Sequence, residues 1–127
     1  MILLRERPPL LETGDLSAER DFTDVRDIVR AYALAAERGR PGAAYNVGSG
    51  VGSRIGDLLQ VLVAQCRVPI EVRQDPTRLR PADVPRMVCD ATRFRAATGW
   101  APAIPLEQSL SDVLEDWRVS VAYRQHA

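Results

Sequence analysis

The stretch Tyr45-Asn46-Val47-Gly48-Ser49-Gly50-Val51-Gly52-Ser53-Arg54 joins two predicted elements of this 127-residue chain. A short apolar run, Ala43 to Val47, enters the stretch and predicts a strand. An amphipathic helical pattern, Ile55 to Cys66, leaves it, and Pro69 to Arg73 predicts a second strand after the helix. This order and length are those of a strand–helix–strand crossover, so the stretch predicts an α/β fold.

The glycines of this stretch do not have the spacing of a dinucleotide-binding loop. That loop reads Gly-x-Gly-x-x-Gly, whereas Gly48 and Gly50 are followed here by Ser53, with Gly52 one place early. Ser53 is placed to cap the following helix, and Asp57 lies near the positive end of the helix dipole. The spacing therefore favours a capped structural loop beside a ligand over an NAD(P)-binding loop.

Composition excludes several classes of protein. The formal net charge is zero and no basic stripe is present, so nucleic-acid binding is not expected. All 17 basic residues are arginine. Without lysine the chain has no Schiff-base lysine, no P-loop lysine and no Tyr-x-x-x-Lys pair, and we assign no catalytic residue to it. The length predicts a single domain, near the lower limit for an autonomous α/β enzyme.

The only histidine and the two cysteines do not predict a metal site or a disulfide. His126 lies next to the C-terminus, and Cys66 and Cys89 are far apart without candidate ligands nearby. We interpret both cysteines as small buried hydrophobic residues in a reducing compartment. Because the sequence shows neither a signal peptide nor a membrane span, the predicted location is the cytoplasm.

Capping residues and apolar periodicity predict three more helices. Thr23-Asp24 caps a helix from about Asp24 to Arg38, which ends at Gly39 and Pro41. Asp90 begins a short helix, Ala91 to Thr98, and Pro105 begins the last one, about Leu106 to Val121. The side chains expected to face the core are Val25, Ile28, Val29, Tyr32, Ala35 and Ala36, then Ile55, Leu58, Leu59, Leu62 and Val63, and finally Leu110, Val113, Leu114 and Trp117. Short extended segments are predicted at Leu10 to Thr13 and Met87 to Cys89.

Two places in the sequence are candidates for ligand binding. Arg20 ends a short extended run directly before a capped helix, where its planar guanidinium suits a phosphate. From the spacing alone, a salt bridge to Asp24 or Asp27 is the favoured explanation. Arg80 and Asp83 lie in a segment stiffened by prolines, so they are presented at a fixed separation. An arginine for a diphosphate and a carboxylate for a ribose diol would hold a nucleotide. The alternative is an ordinary solvated loop.

Four motifs, in this order, resemble the C-terminal part of an extended short-chain dehydrogenase/reductase of the NAD-dependent epimerase/dehydratase family. Within that family the pattern is most similar to the GDP-6-deoxy-D-mannose reductases and then to the GDP-mannose 4,6-dehydratases. The motifs are Arg20-Asp21-Phe22-Thr23-Asp24-Val25-Arg26-Asp27, Tyr45-Asn46-Val47-Gly48-Ser49-Gly50, the proline-punctuated segment Asp75 to Pro85, and the segment from Thr98-Gly99-Trp100 through Trp117-Arg118. Together they cover nearly the whole chain.

The resemblance implies both a fold and a site. It implies the substrate-binding lobe of such an enzyme, an α/β unit of short strands with four to five helices, without the N-terminal Rossmann core that carries the NAD(P) loop and the catalytic residues. It also implies that Arg20 and Arg80 hold the diphosphate of a GDP-sugar and that Asp83 holds the ribose hydroxyl groups. We therefore expect a truncated or split enzyme that binds a GDP-deoxyhexose, has no NAD(P) site of its own and is not catalytic alone.

Two partners and one competing interpretation remain open from the sequence. A Rossmann-domain half or a second copy of the chain is expected to cover apolar surface that the absent part would otherwise cover. The competing interpretation, from a different functional class, is a stand-alone, non-catalytic module that binds a nucleotide or a partner subunit.

Overall fold

The structure, a computed structural model, describes residues 8–79 and 84–124. Its elements in chain order are β1 (Leu10–Thr13), β2 (Glu19–Asp21), α1 (Val25–Arg38), β3 (Gly52–Arg54), α2 (Ile55–Ala64), β4 (Glu71–Gln74), a 3₁₀ turn (Pro76–Arg78), β5 (Arg86–Met87), α3 (Thr92–Thr98) and α4 (Leu106–Arg124). The α/β class, with short strands and four helices, is as predicted. Within the described ranges no helix is both long and apolar enough to span a bilayer.

The chain divides into two compact units, each built from separated segments. Among the described residues, the first unit comprises residues 8–18, 54–79, 84–85 and 107–124, and the second comprises residues 19–53 and 86–106. In the first unit β1 and β4 form a parallel pair with Leu10 opposite Glu71 and Thr13 opposite Gln74. The predicted strand after α2 is therefore confirmed, although it begins at Glu71 rather than Pro69.

The start of α2 differs from the prediction. Ser53 belongs to β3, and the residue at the N-cap is Arg54, whose side chain makes no capping hydrogen bond. The free amides of the first turn are satisfied by backbone instead, because Ile55 N donates to Ala18 O at 3.0 Å and Gly56 N donates to Leu16 O at 2.9 Å. At the other end of α2, Arg118 Nη2 donates to Gln65 O at 2.6 Å, so α4 supplies the C-terminal hydrogen bond.

The predicted strand–helix–strand crossover is not formed. A strand precedes α2, but it is β3, which belongs to the sheet of order β3-β2-β5, whereas β4 pairs with β1 in another sheet. A crossover unit needs both strands in one sheet. The helix and the strand after it were thus predicted correctly, whereas the strand before the helix and the pairing of the two strands were not.

The second unit packs around a small aromatic core. Ala31, Phe94 and Trp100 are fully buried, and Tyr45 and Val47 pack against them. The rings of Phe94 and Trp100 lie 5.7 Å apart between centroids. This core fixes α1 against α3 and the segment after it.

Only part of the predicted side of α1 faces this core, where Ala35 packs as expected. The buried residues of α1 are Asp27 and Ala31. Val25, Val29 and Tyr32, which were expected to face the core, are 71%, 61% and 69% exposed. In the first unit the predicted core residues Val113 and Trp117 of α4 are exposed as well. Periodicity located these helices correctly but assigned the wrong contacts to these five exposed residues.

The segment Ala43 to Val47 forms no strand, contrary to prediction. Its burial nevertheless alternates with a period of two, since Ala43, Tyr45 and Val47 are half-buried while Ala44 and Asn46 are exposed. No strand of the described residues pairs with it. The alternating burial is that of an extended segment, but the predicted strand is wrong.

Candidate functional site

Arg20 occupies the centre of β2. Its strand pairs in parallel with β5, and Arg20 lies opposite Met87 in the register. The side chain is half-buried, and its Nη1 donates to the carbonyl oxygen of Glu19 at 2.8 Å. The side-chain Oε2 of Glu19 accepts from Arg86 Nε at 3.2 Å, so an ion pair also joins the two strands. Arg20, the predicted phosphate ligand, thus lies in a strand of a sheet.

Asp21 is the hydrogen-bonding centre of this region. Its Oδ1 accepts from the amide of Ser49 at 3.0 Å and from the Ser49 hydroxyl at 2.5 Å. Its Oδ2 accepts from the amides of Gly50 at 2.8 Å and Cys89 at 3.1 Å. One carboxylate therefore ties β2 to the glycine-rich turn and to the segment that follows β5.

These contacts also set the charge state of Asp21. Burial by itself would raise the pKa of this carboxyl group, but hydrogen bonds from Ser49, Gly50 and Cys89 stabilise the anion and hold its pKa below the ordinary value of 3.8. The group is therefore an anion at neutral pH. Sequence reasoning missed Asp21, because nothing along the chain pairs it with residues that lie 28 positions away or more.

The glycine-rich turn is held from two sides. Arg95 Nη2 donates to the carbonyl oxygen of Ser49 at 2.5 Å, while Asp21 takes the amides of Ser49 and Gly50. Gly50 has a φ of 76°, a left-handed conformation that brings successive amides to one side of the turn. A phosphate bound here would need these amides, and a carboxylate of the chain itself already occupies them.

Gly48 also serves packing rather than phosphate binding. A Cβ at this position would lie 2.5 Å from Cys89 Cβ and 2.9 Å from Cys89 Sγ, so the missing side chain makes room for the cysteine. Burial, together with the nearby charges of Asp21 and Asp90, raises the pKa of the Cys89 thiol. The residues of this turn therefore do not fit a bound dinucleotide.

The two alternative partners considered for Arg20 have other arginine partners. Asp24 caps α1 and pairs with Arg26 at 2.8 Å. Asp27 is 2% exposed, and its Oδ1 accepts from Arg30 at 2.6 Å. Both acids stabilise α1 and its surroundings.

Asp27 connects α1 to the segment between α3 and α4. Its Oδ2 accepts from the amides of Ala103 and Ile104, both at 2.9 Å, and its backbone carbonyl accepts from Trp100 Nε1 at 3.1 Å. Burial alone would raise the pKa of this carboxyl group, but the hydrogen bonds from Arg30 and the two amides lower it. Asp27 is therefore a structural anion within the second unit.

The other two predicted ligands, Arg80 and Asp83, lie outside the described residues. The segment before them is described: Asp75 caps the 3₁₀ turn by accepting from Thr77 N at 2.9 Å and pairs with Arg78 at 3.1 Å. Within the described ranges no group of three or more acidic, cysteine or histidine side chains is arranged for a metal ion.

Comparisons with known proteins place this arrangement in a family. The family model of GDP-mannose 4,6 dehydratase matches residues 2–113. The chain is 40% identical over 111 residues to the GDP-6-deoxy-D-mannose reductase of Pseudomonas aeruginosa, and this match covers 87% of this chain and 36% of that protein. It is 32% identical over 105 residues to a UDP-glucose 4-epimerase of Mycolicibacterium smegmatis, and that match covers 83% of this chain and 33% of the epimerase. The chain thus spans about a third of the length of these relatives.

Solved structures agree with the sequence matches. The structure of RMD from Pseudomonas aeruginosa complexed with NADPH superposes with a TM-score of 0.86 and 36% identity, over 94% of this chain and 39% of that one. The UDP-glucose 4-epimerase of Thermotoga maritima with UDP-glucose superposes with a TM-score of 0.70 and 29% identity, over 94% of this chain and 37% of that one. The fold is that of the C-terminal portion of these enzymes.

Proposed function

Because the chain belongs to the GDP-mannose 4,6-dehydratase family, we propose that it binds a nucleotide sugar, specifically a GDP-deoxyhexose, and supplies the substrate-binding portion of an NAD(P)-dependent reductase or dehydratase. In this proposal Arg20 and Arg80 bind the diphosphate and Asp83 binds the ribose hydroxyl groups. A guanidinium offers two parallel N–H donors to a phosphate, and a carboxylate accepts from a diol.

The observation that carries the proposal is the fixed position of Arg20. Its neighbour Asp21 is held by four hydrogen bonds from Ser49, Gly50 and Cys89. Its own guanidinium is anchored on the backbone of Glu19. A ligand-binding arginine loses less conformational entropy on binding when the protein already orients it.

The reaction proposed for the complete enzyme is reduction of the 4-keto group of GDP-4-keto-6-deoxymannose with a hydride from NAD(P)H. The residues described here are proposed to bind and orient the nucleotide sugar only. No step of the hydride transfer is assigned to them, because the amides of Ser49 and Gly50 are engaged by Asp21 and do not fit the cofactor. The guanine base is proposed from the reductase and family matches.

Calorimetric titration of the chain with GDP-mannose tests the proposal. We expect Arg20→Ala and Arg80→Ala each to weaken binding about tenfold or more, because each charge-assisted hydrogen bond is worth roughly 1.5 to 3 kcal/mol. Lysine at either position should restore only part of the affinity, since a point charge cannot form the bidentate contact. Arg73→Ala is the matched control, because Arg73 is an exposed strand arginine paired with Glu71.

Two further titrations sharpen the assignment. Asp83→Asn should weaken binding while leaving its salt dependence nearly unchanged, because the ribose carries no charge. UDP-glucose should bind more weakly than GDP-mannose. If Arg20→Ala and Arg80→Ala bind GDP-mannose like the parent chain and keep its circular dichroism, the nucleotide-binding proposal is wrong.

A further inference from the structure

Strand β2 carries two acidic side chains on one face of its sheet and Arg20 on the other. Successive side chains of a strand point to opposite faces, so Glu19 and Asp21 share the face that Arg20 does not occupy. From this face Asp21 holds the glycine-rich turn and the amide of Cys89. Glu19 lies at the other end of the three-residue strand and makes a separate set of contacts.

Glu19 reaches both strands that flank β2. Its Oε2 accepts from Arg86 Nε of β5 at 3.2 Å, and the two residues are also opposite each other in the strand register. On the other side Glu19 lies over Gly52 of β3, where a Cβ would overlap Oε1 and lie 2.7 Å from Cδ and 2.9 Å from Cγ. One side chain therefore spans the sheet of order β3-β2-β5.

Gly52 matters for the space it leaves and not for backbone freedom. Its φ is outside the left-handed region that Gly42, Gly50 and Gly99 adopt, so an alanine there is compatible with the backbone. The atoms that such an alanine would meet belong to the flexible end of Glu19. Gly52→Ala is therefore a substitution that displaces the Glu19 carboxylate and leaves the strand conformation unchanged.

Glu19 is connected to Arg20 through its own backbone. The carbonyl oxygen of Glu19 accepts from Arg20 Nη1 at 2.8 Å, so the guanidinium is held only as firmly as the residue that carries this carbonyl. A binding side chain keeps its orientation when a second layer of contacts fixes its support.

We propose that Glu19 is a positioning residue for Arg20. Its carboxylate, clamped between Gly52 and Arg86, fixes the residue whose carbonyl oxygen orients the guanidinium toward a diphosphate. The inference rests on the proposed nucleotide binding for its ligand, whereas the orientation of Arg20 is measurable without a ligand.

Calorimetric titration with GDP-mannose tests the effect on binding. We expect Glu19→Ala to weaken binding about threefold to tenfold, because a less ordered arginine loses more conformational entropy on binding. Glu19→Gln should keep most of the affinity, since its amide oxygen can still accept from Arg86 Nε. Glu71→Ala is the matched control: Glu71 is also a strand glutamate paired with an arginine, at 2.8 Å from Arg73, and its removal should leave the affinity unchanged.

A double-mutant cycle connects Gly52 to the same effect. Gly52→Ala should weaken binding about as much as Glu19→Ala does, because each substitution removes the clamp. In the Glu19→Ala background the added Cβ meets no carboxylate, so Gly52→Ala should then change the affinity by less than about twofold. If Glu19→Ala does not fold, Gly52→Ala and Glu19→Gln, which both keep a full-length side chain at position 19, decide the matter.

The ligand-free chain reports the orientation of Arg20 directly. The NMR order parameter of the Arg20 Nε–Hε bond, assigned by its loss in Arg20→Lys, should fall in Glu19→Ala and Gly52→Ala. It should stay at the parent value in Glu71→Ala and close to it in Glu19→Gln. A merely structural role of Glu19 would lower the urea midpoint and leave this order parameter unchanged.

Three outcomes would overturn the proposal. The first is a parent-like order parameter of Arg20 in Glu19→Ala and Gly52→Ala. The second is a loss of affinity in Gly52→Ala that is equally large with and without Glu19. The third is parent-like affinity of Glu19→Ala for GDP-mannose. If the parent chain does not bind GDP-mannose but Glu19→Ala still lowers the order of Arg20, the nucleotide proposal fails and the positioning of Arg20 by Glu19 stands.

Discussion

Asp21 and Ser49 are joined by two hydrogen bonds to the same carboxylate oxygen, one from the Ser49 amide at 3.0 Å and one from its hydroxyl at 2.5 Å. The other oxygen accepts from Gly50 and Cys89. Both oxygens of Asp21 are thus acceptors for backbone donors. An asparagine in place of Asp21 would point its NH2 group, itself a donor, at one or more of these N–H donors in either side-chain orientation.

Asp21→Asn should therefore destabilise the chain by about 1.5 to 3 kcal/mol at neutral pH, the range for hydrogen bonds to a charged group. The free energy of unfolding in urea measures this loss. Asp57→Asn on the exposed side of α2 is the control and should change stability by less than about 0.5 kcal/mol. Equal losses of unfolding free energy in the two variants would contradict the central role of Asp21 in these hydrogen bonds.

Asp27→Ala should cost more than Asp24→Ala. Asp27 is a buried anion, and its removal leaves the amides of Ala103 and Ile104 without their acceptor, a loss of about 2 to 4 kcal/mol. Asp24 caps α1 and pairs with the half-exposed Arg26, so its removal costs about 1 kcal/mol for the cap and about 0 to 1 kcal/mol for the ion pair. Urea unfolding of both variants decides the order, and a reversed order would contradict the buried role of Asp27.

Acid should destabilise the chain through these same carboxylates. The pKa of Asp21 and the pKa of Asp27 are both lower in the folded chain than the ordinary value of 3.8. Their stabilising contribution is complete above that value and is lost as the pH falls through the lower folded pKa, because the unfolded chain then binds more protons. Urea midpoints should thus drop between about pH 5 and pH 2, and less steeply in Asp21→Asn.

Gly48→Ala should destabilise the second unit by about 1 to 3 kcal/mol, the usual cost of overpacking. The new methyl group would lie 2.5 Å from Cys89 Cβ, closer than to the sulfur. Because alanine keeps this Cβ, adding Cys89→Ala should recover little of the lost stability. Adding Cys89→Gly, which removes the Cβ, should recover more. The thermal midpoints of the three variants test this, and full rescue by Cys89→Ala would show that the sulfur is the obstacle.

The purified chain should not oxidise NADPH in the presence of GDP-4-keto-6-deoxymannose. Its sequence contains no lysine, and the glycine-turn amides are bound to Asp21. Absorbance at the NADPH maximum, compared with a buffer blank, measures turnover. Activity that copurifies with the chain and persists in Asp57→Asn but not in Arg20→Ala would contradict the prediction.

Local signals predicted the elements of this fold well. Asp24 and Gly39 bound α1 as expected, and Gly99, in a left-handed conformation with φ of 72°, ends α3. Capping depends on residues within one turn of a helix end, so the sequence displays it directly. The membership of the family followed from short motifs in order, which are equally local.

Pairing and burial were harder to predict because they depend on residues far apart. Ala43 to Val47 has the alternation of a strand, yet no strand of the described residues pairs with it. The face of α1 with Val29 and Tyr32 has the stronger apolar character. The face that is buried is nevertheless the opposite one, where Asp27 accepts hydrogen bonds from the segment after α3. Hydrophobic periodicity identifies a surface that favours burial and does not identify what covers it.

The residues of the candidate site were also predicted only in part. Arg20 lies in an ordered strand, as its position before a capped helix suggested, whereas its role in binding stays a prediction, as do the roles of Arg80 and Asp83 and the single-domain assignment. Asp21 was missed although it neighbours Arg20. Its partners become apparent only when β2, the glycine-rich turn and the end of β5 meet.

The pairing of β1 with β4 has a consequence for how the chain is made. Leu10 pairs with Glu71, so if the intervening segment with β2, α1, β3 and α2 is still unfolded, its closure as a flexible loop costs about 4 kcal/mol in entropy beyond a constant. A ribosome adding about 5 to 20 residues per second needs roughly 3 to 12 s to produce β4 after β1. During that interval β1 is available to any other strand, and a synonymous-codon change that slows translation between the two strands should lengthen the interval.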